Sequence, residues 1–135
     1  MRRTYKLLLS LLLSLPVMVG TATAARADVM QGTGHLEGRS TACVGPFFID
    51  GANGGFIVQG HASPQAGRWT VLQSADSSFT TSVTVLDFTN TDLNQFVSVA
   101  DHPTLFPGFF KLCVTPATSR KGGIDYTMLM DSGPF

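Results

Sequence analysis

The last strand-like stretch of the chain, "IDYTMLMD" (Ile124 to Asp131), sets Ile124, Tyr126, Met128 and Met130 against Asp125, Thr127, Leu129 and Asp131. That period of two predicts a half-buried β-strand. "FFKLCVT" (Phe109 to Thr115) alternates in the same way, with Phe110, Leu112 and Val114 on one face and Phe109, Lys111, Cys113 and Thr115 on the other. "GFIVQGH" (Gly55 to His61) follows the turn-forming run "DGANGG", and "RWTVLQ" (Arg68 to Gln73) follows "ASPQAG". "FTTSVTVLDF" (Phe79 to Phe88) is rich in β-branched residues, and its parity puts Phe79, Thr81, Val83 and Val85 on one face. "FVSVA" (Phe96 to Ala100) adds another strand. Only "TDLNQF" (Thr91 to Phe96) predicts a single helical turn, capped by Thr91 or Asp92. No window carries an apolar period of 3.6, and the segment from Asp28 to Thr41 is Gly-rich and weakly patterned. About seven short strands between Gly- and Pro-rich turns predict an all-β fold, an antiparallel β-sandwich of immunoglobulin-like or jelly-roll-like type.

The first residues change the picture of where this domain works. Arg2, Arg3 and Lys6 form a positive start, "LLLSLLLSLPVMVG" an apolar centre, and Ala25-Arg26-Ala27 a small-residue cleavage site before Asp28. Ala22-Thr23-Ala24 is an alternative three residues earlier. This is the pattern of a signal peptide over residues 1–27. The apolar run is short of the ~20 residues that a membrane span needs. The expected mature protein is therefore a single domain over residues 28–135, secreted or periplasmic, with no membrane attachment after cleavage.

Cleavage also changes the charge. The whole chain carries nine basic and nine acidic residues, but residues 28–135 retain five bases (Arg39, Arg68, Lys111, Arg120, Lys121) against all nine acids, a net charge of −4. A mildly acidic domain lacks the basic footprint of a nucleic-acid binder. All ten Phe fall within 28–135. With Trp69 and Tyr126 they can fill one core, and a sparsely charged, apolar chain of this kind is not disordered.

Only two cysteines are present, Cys43 in "CVGPFF" and Cys113 in "PGFFKLC". Export makes a Cys43–Cys113 disulfide the expectation. No CxxC spacing points to redox catalysis. Because Lys111 belongs in water, parity places Cys113 on the outer face of its strand. The simplest geometry then has the Cys43 segment crossing over that outer face and covering Phe109.

Candidate chemistry is sparse. Ser63 lies two residues from His61 in "GHASP", so the two share a strand face, but no local third group orients the imidazole as a nucleophile–base pair needs. A small secreted hydrolase using His61 or His102 is the enzymatic alternative. His35, His61 and His102 lack the close spacing of a metal motif, and no metal or cofactor is expected. "NTDLNQ" sets Asn90, Asp92 and Asn94 at alternate positions like the first ligands of a calcium loop, with Asp101 eleven residues after Asn90. Gln95 occupies the place where that loop turns on Gly, and Asp101 is shorter than the usual closing Glu. Asp50 and Asn53 in "DGANGG" form another partial set. Both stretches read more simply as turns.

The remaining candidate is recognition by a loop. In "HPTLFPGFF", Leu105 and Phe106 lie between Pro103 and Pro107, with Asp101 and His102 at the base. A tip held by proline presents side chains at low entropic cost. The same tip can instead fold back and plug the end of the sandwich. The expected function is a non-enzymatic binding module for a protein or carbohydrate partner, with Asp101, His102, Leu105 and Phe106 as candidate contacts. A structural or assembly subunit of the cell surface is the third class.

Overall fold

The computed structural model describes residues 28–135. The expected signal peptide and its cleavage point lie outside the described residues. Eight strands follow in order: β1 (Val29–Leu36), β2 (Ala42–Ile49), β3 (Gly55–Ser63), β4 (Gly67–Ser74), β5 (Val83–Asn90), β6 (Asp92–Ser98), β7 (Gly108–Pro116) and β8 (Ile124–Asp131). A short 3₁₀ turn, Pro103–Leu105, precedes β7.

Pairing follows one rule. The hairpin β4–β5 continues as β3 with β6, β2 with β7 and β1 with β8, all antiparallel. The chain is thus a long two-stranded ribbon rolled on itself, closed by β3–β8 and β4–β7 contacts. The result is two four-stranded sheets, sheet I (β1-β8-β3-β6) and sheet II (β2-β7-β4-β5). Of the two sandwich types expected, this strand order is the jelly roll.

Between the sheets lie Phe56, Val58, Trp69, Val71, Phe110, Leu112, Val114, Ile124 and Met130, all with no exposed surface. Trp69 is the largest, and its indole N–H donates to the Asn90 carbonyl at 3.0 Å. Its ring lies directly over Gly60, where an added Cβ would stand 2.5 Å from ring carbons.

The inward faces of β7 and β8 are those expected from parity: Phe110, Leu112 and Val114 on one, Ile124, Met128 and Met130 on the other. The disulfide is Cys43–Cys113, with a sequence separation of 70. Its setting corrects the crossing geometry. β2 does not pass over β7 but pairs with it as an edge strand, and the two cysteines are directly opposite neighbours. Phe109 is nonetheless covered from β2, because Phe48 meets it on the outer face with ring centroids 5.2 Å apart. A bulge at Gly45-Pro46 separates Val44 from Phe47 in the register. Gly45 has φ of +109°, and a Cβ there would be 2.6 Å from the Phe110 carbonyl oxygen. The bulge shifts parity by one, so Val44 and Ile49 both reach the core.

Three further readings change. "TDLNQF" is not helical, and Asp92–Ser98 forms β6 against β3. The buried pair Leu93 and Val97 fits both periods at a spacing of four, and pairing with β3 decides the outcome. The strand expected from Phe79 begins at Val83. Phe79 sits in the β4–β5 connection with φ of 52°, its ring against the Lys111 ammonium at 4.5 Å. Opposite the Val71/Leu72 step, Val85 is an extra residue, so Leu86 and Phe88 pair with the inward Val71 and Trp69. Finally, the Gly-rich segment is β1. Its inward positions Gly32 and Gly34 make room for Val44 and Tyr126, which an added Cβ would meet at 2.9 and 3.0 Å.

Candidate functional site

Sheet I has a solvent face built in rows, because register places one outward side chain from each strand at the same level. One row is Thr33 (β1), Thr127 (β8), His61 (β3) and Asp92 (β6); the next is Gln31, Leu129, Gln59 and Asn94. The third is Val29, Asp131, Ile57 and Phe96. The first two rows line an open trough of about 800 Å³ across the sheet.

The trough side chains are partly organised by one another. Asp92 Oδ1 and His61 Nδ1 are 2.7 Å apart. The Gln59 amide donates to Asn94 Oδ1 at 3.3 Å, and the Thr33 hydroxyl donates to the Tyr126 carbonyl at 3.0 Å. These contacts hold the rings and amides across neighbouring strands. They leave His61 Nε2, the Gln59 carbonyl oxygen and the Asn94 amide nitrogen unused within the fold. Gln31 and Thr127 are exposed beside them.

Charge on this face is one-sided. None of the four strands of sheet I carries Lys or Arg, whereas Asp92, Asp125 and Asp131 all lie on it. Beyond the Thr33 row, His35 stands between two carboxylates, Glu37 at 2.6 Å and Asp125 at 2.7 Å. Hydrogen bonds to Glu37 first and Asp125 second raise its pKa above the ordinary 6.5. At the opposite end of the trough, Phe96 is 50% exposed and meets Phe135 edge-on at 5.9 Å.

The candidate loop lies elsewhere. It leaves β6 beside the β2–β3 turn, where the Val99 amide donates to the Gly54 carbonyl at 2.9 Å. Phe106 turns inward, with ring centroids 4.9 Å from Phe110 and 6.1 Å from Phe56. The Leu105 carbonyl accepts from the Gln73 amide at 2.9 Å. Leu105, Phe106 and His102 are half-buried, and Asp101 is exposed. The tip packs onto the end of the sandwich, the plugging arrangement.

Other candidates are spread over the fold. His61 and His102 stand toward opposite ends of β3, and His35 is on the far edge strand. Ser63 shares the outward face of β3 with His61, as expected. The group that orients His61 is Asp92, 31 residues away, which only the β3–β6 register brings near. Asn90 holds the crossing from sheet II to sheet I, its side-chain oxygen accepting from the Thr91 amide at 2.7 Å. Asp92 and Asn94 point outward along β6 toward His61 and Gln59 rather than inward around a common point. Asp50 accepts from the Ala52 amide at 2.8 Å, and Asn53 donates to the Ser132 carbonyl at 2.7 Å, both turn contacts. Sequence parity marks Gln59, His61 and Thr127 as outward polar residues. It does not align them with Gln31, Asp92 and Asn94, because register is a tertiary property.

Compared with known proteins, the chain matches no family model, no curated protein and no solved structure. The disulfide fits an oxidising compartment. Among the described residues, no helix is long and apolar enough to cross a membrane.

Proposed function

We propose that the protein is an exported, non-enzymatic binding module that takes its partner in the trough of sheet I. The observation that carries this reading is the alignment of outward polar side chains from all four strands at two successive levels, with hydrogen-bonding groups unused by the fold. A site on paired strands is held more rigidly than one on loops, which lowers the ordering cost of binding. The loop of Asp101, His102, Leu105 and Phe106 is the second place to look, and its inward packing makes it the weaker one. A pull-down from the native exported fraction tests the two together. Gln59→Ala/Asn94→Ala is expected to lose the partner and Leu105→Ser to keep it. Retention by a folded trough variant rules out the trough.

One observation favours a second reading, a small hydrolase: Asp92 supplies the orienting carboxylate for His61 that a base requires. Ser63 or Thr127 would then be the nucleophile. A broad ester and glycoside substrate screen decides this, with turnover abolished by His61→Ala as its signature. No turnover leaves the pair a positioning contact of the trough.

A further inference from the structure

Resting on the trough as the binding surface, we infer that its ligand is a neutral oligosaccharide lying across the strands of sheet I. Three features of the trough lead there.

The first is charge. With no Lys or Arg on any strand of sheet I and three Asp on its face, the surface repels phosphate, sulfate and uronate groups. The two histidines of this face, His35 and His61, already stand against carboxylates, which leaves no free counter-charge for an anionic polymer.

The second is the chemistry of the free groups. Gln31, Gln59 and Asn94 each carry a planar amide, with donor and acceptor side by side. Thr33 and Thr127 add hydroxyls, and His61 and Asp92 add a ring nitrogen and a carboxylate oxygen. Such groups match neighbouring hydroxyls on a sugar ring, each of which both donates and accepts. A peptide is the poorer match. Its N–H and C=O groups are best met by an unpaired strand edge, whereas β3 and β8 at the trough floor are paired on both sides.

The third is shape. Four strands at about 4.8 Å spacing make a trough roughly 14 Å across, room for a short run of rings rather than a single one. The trough is open above, so a longer chain can pass through. Leu129 at its middle and Phe96 one level beyond Asn94 offer apolar surface to the C–H faces of sugar rings. Phe96 is braced edge-on by Phe135, which holds it as a platform at one end.

The test is titration calorimetry on residues 28–135 with cellohexaose, xylohexaose, laminarihexaose, mannohexaose and maltohexaose. A heparin hexasaccharide, a galacturonate hexamer and an uncharged Ser/Thr-rich peptide complete the set. Wild type is expected to bind at least one neutral hexasaccharide in the micromolar to millimolar range and neither anionic one. Gln59→Ala and Asn94→Ala should each weaken that binding by about 5–10-fold, the loss of one good hydrogen bond. Phe96→Ala should weaken it at least as much, and Phe48→Ser, on sheet II, should leave it unchanged. Binding to the anionic sugars or the peptide alone, or to nothing in the set, overturns the inference. If the Gln59→Ala/Asn94→Ala variant meanwhile still loses its native partner in the pull-down, only the ligand class has failed. Hexasaccharide binding that survives the trough variants overturns the trough reading as well.

Discussion

At the scale of single residues, the molecule turns on a few close approaches. Gly60 is required because the Trp69 ring occupies the space its Cβ would take. Gly60→Ala must displace the largest core side chain or the β3 backbone. The expected cost is about 1–3 kcal/mol, visible as a lower denaturant midpoint with an unchanged slope. A variant as stable as wild type would mean that Trp69 is not packed as described. His35 gives a second prediction. Its pKa is raised in the folded state, so folding favours the charged imidazolium. The resulting stabilisation is present below the unfolded value near 6.5 and is lost as pH rises through the higher native value. The groups are exposed, so the effect on global stability is small, and NMR of the His35 ring is the suitable readout. Its midpoint should lie above 6.5 and fall in Glu37→Gln and in Asp125→Asn. A midpoint at or below 6.5 in wild type would contradict the pairing. Neither feature was legible in the chain. The contact over Gly60 depends on how the sheets stack, and of the two carboxylates on His35 only Glu37, two residues away, is near in sequence, whereas Asp125 is 90 residues away.

At the scale of elements, alternation was a good guide where one face is apolar and one polar. It gave the inward faces of β7 and β8 correctly and placed Cys113 outward. It failed where glycine or a bulge interrupts the pattern: β1, whose inward glycines accommodate Val44 and Tyr126, and β2, where Gly45-Pro46 shifts the parity. The cap-forming Thr91 and Asp92 suggest a helical turn over 91–96, but pairing with β3 extends the strand back to Asp92. The disulfide joins neighbouring strands yet closes a loop of 70 residues. On the chain-entropy account it stabilises by about 4 kcal/mol. Oxidised protein should show no free thiol, and Cys43→Ser/Cys113→Ser should melt well below wild type while keeping its strand content. Two freely titrating thiols in native protein would refute the staple. The loop before β7 makes its own prediction. Phe106 lies against Phe110 and Phe56, so Phe106→Ser should cost about 2 kcal/mol, less than a fully buried Phe. An unchanged denaturant midpoint would show that the ring is not a plug and would return the loop to the list of recognition surfaces.

For the whole molecule, the rolled ribbon explains why residues distant in sequence share one face. β1 and β8, from opposite ends of the described chain, sit side by side, and β3 and β6 complete the sheet from its middle. Sheet class and the disulfide pair could be read from the chain, whereas the trough could not, since its rows exist only once register is set. The separation of charge is also a property of the whole. Every Lys and Arg of residues 28–135 lies on sheet II or in the turns, leaving sheet I acidic and amide-rich. We propose this face as the one on which the protein meets its ligand. The most direct measurement is a two-dimensional amide NMR titration with the neutral hexasaccharides, following the side-chain signals of Gln31, Gln59 and Asn94 and the backbone of residues 100–108. Binding in the trough should give saturable shifts in the three amides and in His61, with residues 100–108 unmoved. Shifts confined to residues 100–108, or none anywhere at millimolar sugar, would contradict it.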